Sequence, residues 1–115
     1  MIFRLPDKIS RRHANILHRI RLGVAFTRHY THLIGRADSP NCERCQVRET
    51  IAHIFCDCAL YVAQREMLTA TLASIGRTPL SESHILSAMN DQTVSKTATK
   101  AVLDFIKSTG LETRL

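Results

Sequence analysis

Residues 42–58, CERCQVRETIAHIFCDC, contain four potential metal ligands in the pattern C-x2-C-x7-H-x4-C, formed by Cys42, Cys45, His53 and Cys58. Three thiolates and one imidazole complete a tetrahedral Zn2+ shell and leave no position for water or substrate. The pattern therefore predicts a structural rather than a catalytic zinc ion. The two residues between Cys42 and Cys45 allow both sulfurs to face one ion, as in a zinc knuckle.

The identity of the fourth ligand is open between two cysteines. Cys56 follows His53 by three residues, a spacing that places two side chains on one helical face. Cys58 is separated from His53 by roughly one and a half helical turns, since a helix repeats about every 3.6 residues. Cys58 therefore requires a bend after His53, and either cysteine can complete the shell on this reasoning.

The cysteines are expected to be reduced. Two disulfides are the other use of four cysteines in a short chain, but no signal-peptide pattern precedes them, because residues 1–12 contain four basic side chains and no apolar run. We therefore expect an intracellular protein, nuclear or cytoplasmic. No stretch approaches the roughly 18 apolar residues of a membrane span, so no membrane partner is expected.

The apolar spacing predicts an all-α fold, a small helical domain with a CCHC zinc-knuckle-like insertion. No alternating strand pattern continues for long, and Trp is absent from a chain that is 44% hydrophobic. With 115 residues the chain is predicted to be a single domain, 1–115, whose modest core makes a metal staple important. Its parts are a basic helical segment at 1–36, a zinc-knuckle-like segment at 37–59 and C-terminal helices at 60–115.

Helix boundaries follow from capping residues and glycines. Predicted helices run from a Ser10 cap to about Leu22, with an alternative earlier start at Pro6 and Asp7, from a Thr27 cap to Gly35, from about Leu60 to Ile75, from Ser81 or Ser83 to Met89, and from about Val94 to Ser108. Thr50 is predicted to cap the turn that presents His53. The residues predicted to face the core are Ala14, Ile16, Leu17, Ile20, Tyr61, Leu68, Leu72, Ile75, Ala98, Ala101, Val102 and Phe105.

Positive charge is concentrated near the start of the chain. The formal net charge is +6, and up to Arg36 eight basic residues oppose one acidic residue, Asp7. The remaining residues are nearly balanced. A basic segment beside a knuckle predicts contact with the phosphates of RNA or single-stranded DNA, with weak sequence preference. The candidate nucleic-acid-binding residues are Arg11, Arg12, Arg19, Arg21, Arg28 and Arg36, whereas His13, His18, His29 and His32 are predicted to be surface residues.

Catalysis is not expected. Two-metal nuclease chemistry requires clustered carboxylates, but the ten acidic residues are scattered singly. A Cys56–His53 nucleophile lies inside the metal pattern and has no evident orienting group. A zinc deaminase requires Glu two residues after its metal-binding histidine, where this chain has Phe55.

The segment Ile9 to Ala37, ISRRHANILHRIRLGVAFTRHYTHLIGRA, followed by Asp38-Ser39-Pro40 and the first cysteine pair, resembles the carboxy-terminal region of arthropod LINE-type (non-LTR) retrotransposon polyproteins, particularly those of ticks. The block Glu49-Thr50-Ile51-Ala52-His53, then Cys58, Tyr61 and Arg65, is similar to the E-T-x-x-H…C…Y…R block of that family. The final residues, 109–115, also resemble the ends of such polyproteins. The resemblance covers nearly the whole chain.

The resemblance implies a fragment downstream of reverse transcriptase and ribonuclease H domains, with a knuckle that helps to hold template RNA or target DNA. The family ligands fall on Cys42, Cys45, His53 and Cys58, and Cys56 is then an extra thiol. Ala59 departs from the family, which often has proline after the last cysteine. Other parts of such a polyprotein are possible partners. The alternatives are a protein-docking module and a decayed fragment without selected function.

Overall fold

The computed structural model describes residues 9–115 and is all-α, as predicted. Its α-helices are α1 (Arg11–Leu22), α2 (Arg28–Leu33), α3 (Val62–Ser74), α4 (Glu82–Asn90) and α5 (Ser95–Thr109). A π-helical turn (His53–Asp57) and 3-10 turns at Ala59–Tyr61 and Leu111–Thr113 complete the helical elements. Within the described part of the chain, β pairing is limited to one isolated bridge. The alternative helix start at Pro6 and Asp7 lies outside the described residues.

Side-chain caps begin several of these elements at the predicted positions. The side chains of Ser10, Thr27 and Ser81 each accept a hydrogen bond from the backbone N–H three residues later, at the starts of α1, α2 and α4. These bonds satisfy N–H groups that have no partner within the helix. Ser81 rather than Ser83 therefore caps α4. Gly110 ends α5 with φ of 77°, a left-handed conformation that favours glycine.

Helix α5 is the centre of the core. It packs against α3, α4 and α1, and its side chains from Ala98 to Ile106 are largely buried. Phe105 lies with its ring centroid 4.7 Å from that of Phe55, in the π-helical turn, and 6.1 Å from that of Tyr61. The same hydrophobic cluster includes Ile16 of α1. The predicted metal-binding segment at 37–59 (the metal segment) is thus anchored on α5 by aromatic packing.

The structure differs from the predicted boundaries most clearly at the start of α3. The predicted helix from Leu60 is a 3-10 turn at Ala59–Tyr61 that leads into an α-helix only at Val62. Cys58 has extended backbone angles, φ −65° and ψ 128°, so a regular helix cannot continue through it. Tyr61 and Ile75 pack against the core while remaining half-buried. Ala14, at the margin of the apolar stripe of α1, is also half-buried.

Among residues 9–115, none of the helices is both long and apolar enough to span a membrane.

Candidate metal centre

The first cysteine pair lies in a tight loop closed by backbone pairing. Asn41 and Arg48 form an antiparallel bridge. Inside it, the Cys42 N–H donates to the Val47 carbonyl at 2.8 Å, and the Gln46 N–H donates to the Cys42 carbonyl at 2.9 Å. Gln46 has φ of 60°, the left-handed conformation that turns the chain back. The loop therefore brings the two cysteines to one side of a knuckle.

The second ligand pair is positioned by an irregular turn. The Thr50 hydroxyl accepts a hydrogen bond from the His53 N–H at 3.1 Å, as predicted for a cap. The Cys58 N–H then donates to the His53 carbonyl at 2.7 Å, closing a wide π-type turn. Because Cys58 itself is extended, its side chain leaves the helical course. This is the bend that the spacing from His53 to Cys58 requires.

The ligand atoms of Cys42, Cys45, His53 and Cys58 all lie within 4.8 Å of one another. The sulfur of Cys58 is 3.8 Å from that of Cys42 and 4.0 Å from that of Cys45. Sulfurs about 2.3 Å from one tetrahedral zinc ion are about 3.8 Å apart, whereas a disulfide requires about 2.05 Å. The cysteines are free thiols, and their arrangement can hold a metal ion.

Cys56 is outside this cluster. It lies in the middle of the π-helical turn, is half-buried, and packs against the hydrophobic core. Burial, followed by the charge of Asp57, raises the pKa of its thiol above the usual value. The structure thus places Cys58, and not Cys56, beside the other three ligand residues.

The backbone around the cluster supplies N–H groups to the sulfurs. Burial opposes ionisation of Cys42, but N–H groups of Cys45 and Arg44 and the side chain of His53 lower its pKa to about 7. Burial and the neighbouring sulfurs raise the pKa of Cys58 to about 11, although the Leu60 N–H opposes this. One thiolate is therefore favoured while a second is opposed. A bound cation offsets this repulsion, as thiolate coordination requires.

The imidazole of His53 fits a metal ligand. Its Nε2 atom is buried and has no hydrogen-bond partner among the described residues. A buried polar nitrogen without a partner is costly, and a metal ion bound at Nε2 would satisfy it. The donor set and this unpartnered nitrogen both fit a soft or borderline cation such as Zn2+.

Arg65 on α3 stabilises the turn that presents Cys58. Its Nη2 donates to the Cys58 carbonyl at 2.6 Å, and its Nε donates to the Phe55 carbonyl at 3.0 Å. The Cys58 carbonyl also accepts the Tyr61 N–H of the following 3-10 turn at 3.3 Å, so Arg65 adds a second donor where the π-helical turn ends. Spacing did not identify this role, because the hydrogen bonds form only after α3 folds back on the turn. The only sequence feature that indicated Arg65 was the E-T-x-x-H…C…Y…R block that resembles the retrotransposon family.

An ion pair between the buried Glu49 and the partly exposed Arg114 stabilises the segment between the two pairs of candidate ligands. The carboxylate of Glu49, 3% exposed, forms two hydrogen bonds with the guanidinium of Arg114 and accepts one from the Arg28 N–H at 2.9 Å. The Glu49 N–H also donates to the Pro40 carbonyl at 2.9 Å. Burial opposes ionisation, but the bonds from Arg114 and Arg28 lower the pKa of Glu49 below its usual value. The residues on either side of the knuckle are thus held together.

The end of the described chain also contacts α1. The Arg19 Nε donates to the Leu115 carbonyl at 2.9 Å, and its guanidinium carbon lies 4.9 Å from the ring centroid of Phe26. His13 Nε2 lies 2.6 Å from a carboxylate oxygen of Glu112. Through these contacts and the Glu49 pair, the chain after α5 links α1 to the metal segment. His13 was predicted to be a surface residue and instead has a half-buried side chain in contact with Glu112.

The six candidate arginines differ in exposure and in their intramolecular contacts. Arg11, Arg12 and Arg36 are exposed, and their side chains form no ion pair or hydrogen bond with another residue between 9 and 115. Arg28 forms an exposed ion pair with Glu43 at 2.8 Å. Arg19 and Arg21 are half-buried, and Arg19 is held by the intramolecular contacts of its guanidinium. Contact with nucleic acid stays a prediction for all six residues.

No family model, curated protein or solved structure matches this chain.

Proposed function

We propose that this protein is a zinc-stapled, non-catalytic module that binds RNA or single-stranded DNA through its phosphate backbone. The convergence of three thiols and one imidazole within 4.8 Å carries the zinc part of this proposal. Zn2+ suits the set because thiolate and imidazole ligands in a tetrahedron are its usual structural site. Four protein ligands leave no open position for substrate, which supports a structural role.

The nucleic-acid part rests on charge and exposure. Arg11 and Arg12 begin α1 and Arg36 follows α2, and all three side chains are exposed. Guanidinium groups bind phosphates through paired hydrogen bonds and release counterions on binding. Such contacts provide affinity without base information. The resemblance to non-LTR retrotransposon polyproteins supports the same role, that of a polyprotein tail contacting template or target.

Zinc content tests the first part directly. Protein purified without added metal is expected to contain about one zinc per chain by elemental analysis, because the buried site binds metal as part of folding. A chain that folds with far less than one equivalent of any metal would contradict the proposal.

The salt dependence of oligonucleotide binding tests the second part. For a single strand the slope of log K against log salt is about −0.7 per phosphate contact, so three contacts predict roughly 20-fold weaker binding from 50 to 200 mM salt. The double variant Arg11→Glu, Arg12→Glu should bind far more weakly and reduce the slope by about 1.4. Arg19 is left unchanged because it contacts Leu115 and Phe26.

A matched control is Lys96→Glu with Lys107→Glu, two exposed positions on α5 that undergo the same change in charge. This variant should retain most of the affinity if α1 is the contact surface. Equal loss in both variants would show only an effect of net charge. Absence of binding by the parent at low salt would reject the nucleic-acid role.

A groove between α3 and α5 favours a second candidate, a protein-docking module. It has a volume of about 430 Å3 and is lined by Leu68, Phe105 and other residues of the two helices. Met67 on its rim is 73% exposed. Apolar docking of a protein partner would depend weakly on salt, which separates it from phosphate binding.

A further inference from the structure

A polar cavity lies against the outer side of the knuckle. Its volume is about 570 Å3, within the range of small-ligand sites. It is bounded by the first turn of α2, the segment at 36–41 and the knuckle loop. The lining residues are Arg28, Arg36, Ala37, Asp38, Ser39, Asn41, Cys42, Glu43 and Gln46.

The cavity combines separate groups of opposite charge. The side chains of Arg36 and Asp38 have no hydrogen-bond or ion-pair partner among residues 9–115, although both line the cavity. Arg28 pairs with Glu43, whose side chain is 80% exposed. An ion pair so open to water is weak, so Arg28 can exchange it for a phosphate while the carboxylate of Glu43 turns to solvent. The cavity therefore offers two guanidinium groups, the unpaired carboxylate of Asp38 and, at its open side, the carboxylate of Glu43.

We propose that this cavity binds one guanine nucleotide of a single strand, with its phosphate on Arg36 and Arg28 and its base edge on Asp38. The inference rests on the proposed nucleic-acid function and adds a base-recognition site to it. Arginine provides the planar donor pair that phosphate accepts. A carboxylate, in contrast, repels phosphate, so Asp38 suits a group that donates hydrogen bonds.

Guanine is the base whose pairing edge matches a carboxylate. Its N1–H and N2–H groups are adjacent donors, and the two oxygens of an ionised carboxylate are adjacent acceptors. Adenine, cytosine and thymine or uracil have no two adjacent donors along this edge, so each would place an acceptor against the carboxylate. Unpaired strands expose these edges for recognition. The carboxylate should therefore disfavour the other bases as well as attract guanine.

The test uses thymidine dodecamers with one central position varied, bound to the zinc-loaded protein. A central guanine should tighten binding about fivefold over a central thymine. This is the low end of the discrimination expected for a bidentate base contact, because the cavity is open to solvent. Asp38→Asn should abolish this preference. The same variant should bind the all-thymidine strand at least as well as the parent, because a negative charge near phosphates has been removed.

Loss of the guanine preference together with undiminished binding of the all-thymidine strand distinguishes recognition of the base from a general effect of charge. Glu66→Gln, an equal charge change at an exposed position on α3 outside this cavity, should keep the guanine preference. Arg36→Gln should weaken binding of both strands by a similar factor, since it contacts phosphate. Persistence of the preference in Asp38→Asn would overturn the assignment of the base to this carboxylate.

Further binding measurements distinguish failure of the cavity inference from failure of the proposed function, and they identify the ligand. Equal binding of all four central bases by the parent would overturn the cavity inference while leaving backbone binding intact. No binding of any strand at low salt would overturn the proposed function. A uridine dodecamer with a central guanosine should show the same preference. Free GMP should bind much more weakly than the strands, and equal affinity would make a free nucleotide the ligand instead.

Discussion

At the residue level, Cys58 rather than Cys56 reaches the knuckle because the turn after His53 is wider than a regular helix. The bond from the Cys58 N–H to the His53 carbonyl widens the turn and sends Cys58 toward the knuckle. Cys56, inside the turn, packs against the apolar core instead. The three-residue spacing from His53 to Cys56 places both side chains on one face only if the helix is regular.

Serine substitutions test this choice. Cys58→Ser should lower metal affinity by more than 100-fold, because loss of a ligand exceeds the 10- to 100-fold effect of groups outside the ligand shell. Cys56→Ser should change affinity little. Competition with a chromophoric chelator gives both values, and the reverse order would move the fourth ligand to Cys56.

Glu49 makes stability depend on pH. Its folded pKa is below the usual value of 4.5, so its contribution to stability is present above about pH 4.5 and is lost as pH falls through the folded pKa. Glu49→Gln should cost about 1–3 kcal/mol at pH 7, because charge-assisted bonds to Arg114 and Arg28 are weakened.

Denaturant unfolding of parent and Glu49→Gln across pH gives the measurement. The difference between the two proteins should be constant from pH 7 to about 5 and shrink below pH 4.5. Protonation of the candidate metal ligands also changes stability with pH. Where this change is equal in both proteins, it cancels in the difference between them. Glu66→Gln, on an exposed part of α3, is the control and should change stability by less than about 0.5 kcal/mol. A difference that does not vary with pH would contradict this role of Glu49.

At the level of elements, α5 supports both the helical core and the metal segment. Phe105 is 2% exposed and packs on Phe55 within the π-helical turn and on Tyr61 after it. Tyr61 is thus a packing residue, as its spacing in the apolar stripe indicates. Helix α5 contains none of the four candidate ligands, yet it fixes the position of the π-helical turn that contains His53.

Truncation of Phe105 measures this support. Phe105→Ala should lower the free energy of unfolding of the zinc-loaded protein by about 3–5 kcal/mol, because a buried aromatic side chain is replaced by a cavity. Phe105→Leu should cost about 1–2 kcal/mol and keeps the test usable if the alanine variant does not fold. Lys107→Ala, on the exposed side of α5, should cost less than about 0.5 kcal/mol. Equal stability of all three variants would contradict the central place of α5.

At the level of the whole molecule, metal binding and folding should be coupled. The ligands come from the knuckle and from the turn before α3, and both are held by contacts with distant parts of the chain. A metal ion that binds only the folded arrangement adds its binding free energy to stability.

Chelation tests this coupling. A metal contribution of even about 3 kcal/mol implies that excess chelator lowers the melting temperature by more than about 10 °C. Readdition of Zn2+ should restore it. Thermal melting followed by circular dichroism would show the shift, and identical melts with and without chelator would reject a structural metal.

Short-range sequence signals were enough for the all-α class, for most helix boundaries and for three of the four candidate metal ligands, Cys42, Cys45 and His53. Ser10, Thr27 and Thr50 cap as predicted because a cap depends on residues only three positions away. The cysteine and histidine spacing likewise indicated one site. The single domain, the nucleic-acid contacts and the retrotransposon origin stay predictions.

Long-range contacts account for what the sequence pattern did not show. Arg114 meets Glu49 across 65 positions, and Arg19 meets Leu115 across 96. The half-burial of Arg19 follows from such a contact, because a helical wheel describes one helix and not the chain packed beside it. The selection of Cys58 has the same physical origin. A π-type turn is unfavourable in isolation, and here the guanidinium of Arg65 and the packing of Phe55 on α5 stabilise it.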